Sequence, residues 1–227
     1  GAIMHRDSLG SEIEIQPGAV NWMTAGKGVV HSERTPEYLR TTEKSLHGLQ
    51  IWVALPKELE DIEPSFVHVE ADKLPTWSDE NATYKLIAGQ FREFSSAVPV
   101  HSPLYLIEIK AEKDFTASLG KDLYGESAMY VLEGEIKDGD HTYGTKQLLV
   151  AKEATLCEFQ LKAGTTVYIF GGEPLVEEHF IFWNFVSSSQ DKIEQAKQDW
   201  INDRFPLVPN ETERVPLPIA QAKSKLK

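Results

Sequence analysis

The sequence predicts an all-β fold, a sandwich or barrel, that closes with one helix near its C-terminus. Short alternating or apolar runs recur up to about Val186, and Gly or Pro residues separate them. Many short strands between turn residues are typical of sandwiches and barrels. The pattern changes at Ser187, where a serine cluster precedes apolar residues at helical spacing, namely Ile193, Ala196 and Trp200.

Each predicted strand corresponds to one such run. The first, EIEI, alternates charged and apolar residues from Glu12 to Ile15 and stops at Pro17-Gly18. The later runs, in chain order, are LQIWVALP (49–56), PLYLIEIK (103–110), AMYVLEGEI (128–136), QLLVA (147–151), TLCEFQL (155–161), TTVYIF (165–170) and HFIFWNFV (179–186).

The helix is expected from about Ser188 to Asp203, with Ser187 and Gln190 as a capping box. The tail that follows is rich in Pro and Lys, which favours an extended strap. A glycine pair at residues 171–172 is interpreted as a turn, because a phosphate-binding loop would need a lysine and a following helix.

Composition narrows the function classes. The chain of 227 residues is 41% hydrophobic, and its formal net charge of −12 disfavours direct nucleic-acid binding. No apolar run approaches the roughly 20 residues that span a bilayer, so no membrane partner is expected. Its single cysteine, Cys157, suits a reducing compartment, and we expect a cytoplasmic protein.

Similar glycine-punctuated runs near residues 1–31 and 131–175 indicate two copies of one β unit. We therefore expect three parts: 1–96, 97–186, and a helix with an extended tail at 187–227. The second copy has the strand AMYVLE before Gly134, whereas nothing precedes Gly1. The first copy of the β unit is thus expected to begin inside its domain.

The segment MTAGKGVVHSER (23–34) carries the candidate chemistry. His31 and Glu33 are two residues apart, so on a strand both side chains point to the same face. Imidazoles combined with a carboxylate suit iron and related divalent metals. The alternative is a hydrogen-bonded pair at the mouth of a barrel, because two ligands alone rarely hold a transition metal firmly.

Three segments, MTAGKGVVHSER, HGLQIWVALP (47–56) and FWNFVSSSQDKIEQAKQDW (182–200), resemble the pirin family. That resemblance implies a bicupin: two tandem cupin (jelly-roll-like) β-barrels with a C-terminal helix. It also implies one metal in the N-terminal barrel, iron or another divalent transition metal, held by a His-x-His pair and a His-x-Glu pair. His31 and Glu33 match the second pair. No His-x-His occurs in this chain, so we expect weak or absent metal binding unless His5 substitutes.

The resemblance implies that the intact protein is a metal-dependent dioxygenase of the quercetinase type, with a small aromatic substrate such as a flavonol. In that reading His31 is a metal ligand, and Glu33 is both a ligand and the catalytic base. The alternative is a non-enzymatic, metal- or redox-responsive regulator that binds a protein partner in transcription. A homo-oligomer is compatible with either reading.

Other polar residues are weaker candidates. Gln50 and Trp52 would share a strand face and line a pocket, although ordinary core packing explains their pattern equally well. The second barrel lacks the metal motif, so no metal is expected there; its ligand positions would be Glu126, Met129 and Tyr130, with His141 in a polar turn. The remaining histidines are expected to be structural: His47, His68, His101 and His179.

Overall fold

The computed structural model describes residues 1–43, 45–151 and 158–218 and confirms the all-β class with one C-terminal helix. Within these residues no helix is both long and apolar enough to cross a membrane. The described strands are β1 (Ile3–Asp7), β2 (Glu12–Ile15), β3 (Val20–Thr24), β4 (His31–Arg34), β5 (Ser65–Val69), β6 (Thr76–Ser78), β7 (Ala82–Phe91), β8 (Phe94–Ser95), β9 (Leu104–Ala111), β10 (Phe115–Ser118), β11 (Glu126–Glu133), β12 (Glu135–Asp138), β13 (His141–Gly144), β14 (Leu148–Ala151), β15 (Glu158–Leu161), β16 (Thr166–Gly172), β17 (Phe180–Phe182) and β18 (Phe185–Ser187).

The chain forms two compact units. The first unit comprises Gly1–Pro17, Met23–Phe66 and Val176–Lys227, and the second comprises Gly18–Trp22 and Val67–Leu175. In the first unit an antiparallel sheet has the strand order β2-β1-β4, and β17 pairs with β18 as a hairpin. Single 3-10 turns lie at Glu37–Leu39 and Lys57–Leu59.

The second unit holds a larger antiparallel sheet of order β14-β11-β16-β9-β7-β6, with β8 on β7, and a second sheet of order β10-β15-β12-β13. Alternate residues of the central strands point inward, because strand side chains alternate between faces. The fully buried members of this core include Ile107, Ile109, Met129, Val131 and Val167. This interior is filled with apolar side chains.

Helix α1 (Gln190–Ile201) begins close to the predicted position, but the predicted capping box of Ser187 and Gln190 is wrong. The N-cap is Ser189, whose hydroxyl accepts a hydrogen bond from the Lys192 backbone N–H at 3.4 Å. The Ser187 hydroxyl donates instead to the buried carboxylate of Glu60 at 2.8 Å. Because the Ser187 hydroxyl is hydrogen-bonded to this charged carboxylate, Ser187 does not cap the helix.

Two further local predictions are wrong. Residues 49–56, predicted as a strand, have no regular secondary structure, and no described strand pairs with them. Gly171 and Gly172 lie within β16 rather than in a turn. A Cβ atom at Gly171 would overlap the carbonyl oxygen of Glu126 and the ring of Tyr105, so glycine here permits close strand packing. The division at residues 96 and 186 stays a prediction.

Candidate metal centre

The register between β1 and β4 brings the candidate residues together. His5 lies directly opposite Glu33, and Asp7 lies opposite His31. Directly opposed residues of an antiparallel pair share a face, so these four side chains project from the same side of the sheet. The two strands are also joined beyond β1, where the Ser8 N–H donates to the Val30 carbonyl oxygen at 2.8 Å.

His5, His31 and Glu33 form a cluster in which one potential ligand atom from each lies within 4.8 Å of the others. The ring centroids of His5 and His31 are 5.6 Å apart. Two imidazoles and one carboxylate make up the donor set typical of non-haem iron oxygenases. The spacing inferred from the sequence thus places His31 and Glu33 on one face, and the neighbouring strand adds His5.

His5 is held rigidly. The residue is 1% exposed, and its ring stacks on Phe66 with centroids 4.1 Å apart and an interplanar angle of 8°. Its Nε2 lies 3.0 Å from Asp7 Oδ2. The other carboxylate oxygen of Asp7 accepts the backbone N–H groups of Leu9 at 2.9 Å and Ser11 at 3.0 Å. Both ring orientation and carboxylate position are therefore fixed by the fold.

Asp7 also fixes the tautomer of His5. Burial by itself raises the pKa of Asp7, but the hydrogen bonds from His5, Ser11 and Leu9 outweigh burial and hold that pKa below its usual value. An ionised carboxylate only accepts, so in the neutral imidazole Nε2 of His5 carries the hydrogen and Nδ1 keeps a free lone pair. A metal-binding histidine commonly has such a carboxylate on its second nitrogen.

The Nδ1 atoms of His5 and His31 are both buried and have no hydrogen-bond partner among the described residues. A buried polar atom left unpaired costs about 1–3 kcal/mol, so such atoms indicate a missing partner. A divalent metal would satisfy imidazole lone pairs at this position. The residues present therefore fit a metal ion.

Burial is also the main cause that lowers the pKa of His31 below its usual value. The neighbouring His5 lowers it further, whereas the carboxylates of Glu33 and Asp7 raise it. A lowered pKa favours the neutral imidazole, which is the form that binds metals. Glu33 is exposed, so the cluster is open to solvent on the side of this carboxylate.

The structure places the other candidates elsewhere. Gln50 and Trp52 lie in the irregular segment and are both exposed; their role as pocket lining stays a prediction. In the second unit Met129 is fully buried in the core, Tyr130 is half-buried, and Glu126 is exposed. Over the described ranges, only His5, His31 and Glu33 form a cluster of three potential metal ligands.

The remaining histidines have separate surroundings. His47 is exposed, and His141 is exposed at the start of β13 rather than in a turn. The ring of His68 lies 2.7 Å from the amide oxygen of Asn21, and both nitrogens of His179 contact backbone carbonyl oxygens. His101 lies in a bend and is exposed.

Sequence reasoning missed Asp7. Its signal was nevertheless present, because Asp7 follows His5 by two residues and must share its strand face. The missing information was the hydrogen bond between the two side chains, which gives the carboxylate its role.

Comparison with known proteins identifies relatives of this chain along nearly its whole length. The pirin profile matches residues 1–53, and the pirin C-terminal cupin domain profile matches residues 105–206. A pirin-like protein of Caulobacter vibrioides is 43% identical over 96% of this chain and 75% of its own length.

Two crystal structures of quercetin 2,3-dioxygenase from Acinetobacter baumannii share this fold. One has a TM-score of 0.85 and 31% identity over 96% of this chain and 73% of its own. The other has a TM-score of 0.78 and 27% identity over 90% of this chain and 73% of its own. With matches at both ends of the chain and a close relative along nearly all of it, the chain belongs to the pirin family of bicupin proteins.

Proposed function

We propose that this chain carries the metal centre of a dioxygenase that acts on flavonols, with iron(II) as the metal. The observation that carries the proposal is the cluster of His5, His31 and Glu33, with an unpaired buried nitrogen on each histidine. Two histidines and one carboxylate are the donor set of non-haem iron oxygenases. The quercetin 2,3-dioxygenase structures that share the fold support flavonols as the substrate class.

Each residue has a distinct task. His5 and His31 hold the metal, and Asp7 keeps the His5 ring in its tautomer and orientation. A bound iron(II) ion would supply Lewis-acid and electron-transfer chemistry at this site. Glu33 would hold the metal together with the two histidines and would accept the proton of the flavonol hydroxyl. Its exposure lets a substrate from solvent reach it.

The test combines metal content with oxygen uptake. Protein loaded anaerobically with Fe²⁺ is analysed for iron and then mixed with quercetin and oxygen. We expect one iron per chain and oxygen uptake matched to quercetin loss. Glu33→Gln should keep the fold, because Glu33 is exposed, but lower turnover by about 10²–10⁴-fold, the usual contribution of a general base.

The variant His31→Gln should lose both iron and turnover, because its amide is a poor replacement for an imidazole ligand. His141→Gln is the matched control, since His141 is an exposed histidine of the second unit. It should behave as the unmodified protein. Turnover by Glu33→Gln at the unmodified rate would contradict the role of Glu33.

The second candidate function is a metal- or redox-responsive regulator that binds a protein partner. The net charge of −12 supports a protein rather than a nucleic acid as that partner. One iron per chain without any quercetin loss would favour this function over the enzyme. For either function we propose a cytoplasmic location. A chain with a single cysteine forms no internal disulfide and therefore suits a reducing compartment.

A further inference from the structure

The strands that carry the metal cluster have a second face, opposite to the ligands. Arg6 lies between His5 and Asp7, while Ser32 and Arg34 alternate with His31 and Glu33. Arg6 is directly opposite Ser32 in the register. The side chains at positions 6, 32 and 34 therefore project together from the back of the β1–β4 pair.

One carboxylate binds all three of these side chains. Glu211 accepts hydrogen bonds from the Ser32 hydroxyl at 2.8 Å, from Arg34 Nε at 2.8 Å and from Arg6 Nη1 at 3.5 Å. Its side chain is only 10% exposed. The segment that carries it is anchored by the buried Val208, whose carbonyl oxygen accepts the Glu211 N–H at 3.2 Å.

The charges around Glu211 indicate that its contacts with Arg6, Ser32 and Arg34 stabilise the fold more than an exposed ion pair would. Burial by itself raises the pKa of Glu211, but the Ser32 hydroxyl and the two guanidinium groups outweigh burial and lower that pKa. The neighbouring Glu213 also pairs with Arg34, at 2.9 Å, but its side chain is 78% exposed. Exposed pairs of that kind contribute little to stability.

We propose that Glu211 is a positioning residue for the metal centre. The inference rests on the proposed function, because it requires that His5, His31 and Glu33 bind a metal. Strand β4 has only four residues and lies at the edge of its sheet, so few backbone contacts restrain it. Glu211 links β4 to β1 on the face opposite the ligands, because it binds Ser32 and Arg34 of β4 and Arg6 of β1. This link fixes the position of His31 and Glu33 relative to His5. Its effect on the metal passes through the two strands.

The test is a titration with Co²⁺, whose visible absorption reports ligand geometry. Glu211→Gln keeps the shape of the side chain and removes its charge, and we expect Co²⁺ binding on the order of 10-fold weaker, the low end for residues that support metal ligands. Ser32→Ala removes one link to β4 and should weaken binding less. Glu213→Gln is the matched control and should bind Co²⁺ as the unmodified protein does.

A purely structural role for Glu211 would lower the melting temperature without moving the metal readouts. If Glu211→Gln binds Co²⁺ with unchanged affinity and an unchanged visible spectrum, the inference is overturned while the metal centre stands. If Glu211→Gln does not fold, Ser32→Ala decides by the same two readouts. Absence of Co²⁺ binding in the unmodified protein would overturn the proposed function and this inference together.

Discussion

At His5, the two ring nitrogens have different tasks. Nε2 donates to Asp7, and Nδ1 is left buried with a free lone pair. This division depends on the charge of Asp7, because an ionised carboxylate accepts from the ring and cannot donate to it. Asp7 is fully buried and also accepts two backbone N–H groups, so its position does not depend on the metal.

Replacing Asp7 by Asn should reverse the tautomer of His5. The Asn oxygen can keep the hydrogen bonds from Leu9 and Ser11, which leaves its NH₂ group facing the ring. The ring nitrogen must then accept, and the hydrogen moves to Nδ1, where it blocks the lone pair meant for the metal. We expect Co²⁺ affinity to fall by about 10–100-fold, measured by titration.

The control for Asp7→Asn is Asp140→Asn, an exposed aspartate of the second unit, which should leave Co²⁺ binding unchanged. A drop in melting temperature with full Co²⁺ affinity would contradict the tautomer argument and leave Asp7 with a structural role only.

Among the elements, the sequence predicted those whose pattern is local. The alternation in EIEI and the runs PLYLIEIK (103–110) and TTVYIF (165–170) correspond to strands in the structure, and the spacing of His31 and Glu33 correctly predicted that both lie on one face. Pairing is not local. The register that sets His5 opposite Glu33 depends on which strands meet, and no periodicity encodes that choice. The same reason explains why residues 49–56 were predicted as a strand although no described strand pairs with them.

The start of α1 depends on one distant carboxylate. Glu60 accepts the Ser187 hydroxyl at 2.8 Å and the Ser188 N–H at 2.6 Å. Burial by itself raises the pKa of Glu60, but these hydrogen bonds outweigh burial and hold the pKa below its usual 4.5. Because the folded pKa is the lower one, this stabilisation is complete above the unfolded value and is lost as the pH falls through the folded value.

Glu60→Gln should therefore lower the free energy of unfolding by about 2 kcal/mol at pH 7, the usual contribution of hydrogen bonds to a charged group. The variant should also lose less stability than the unmodified protein when the pH falls below about 4.5. Urea unfolding at several pH values measures both effects. Glu58→Gln is the control, because Glu58 is exposed; equal pH profiles for Glu60→Gln and the unmodified protein would contradict the assignment.

On the scale of the whole molecule, the metal cluster depends on segments far apart in sequence. The first unit combines the segments Gly1–Pro17, Met23–Phe66 and Val176–Lys227, and within it Glu211 contacts Ser32 although 179 positions separate them. The internal repeat in the sequence predicts consecutive parts, and that division stays a prediction. A repeat reports similarity between segments and carries no information on a contact such as this one. Nothing in the tail's composition indicated that its Glu211 would be bound behind β4.

This organisation predicts where a bound metal stabilises the chain. A ligand that binds only the folded state adds about 2.7 kcal/mol at a free concentration 100 times its Kd. All three proposed ligands belong to the first unit, so this energy should appear there as slower amide hydrogen exchange. We expect Co²⁺ to protect β1 and β4, EDTA to reverse the effect, and His31→Gln to abolish it. The core strands β9 and β16 belong to the second unit and should exchange at the same rate with and without Co²⁺. An equal gain of protection in β9 and β16 would show that the units unfold together and would contradict this local account.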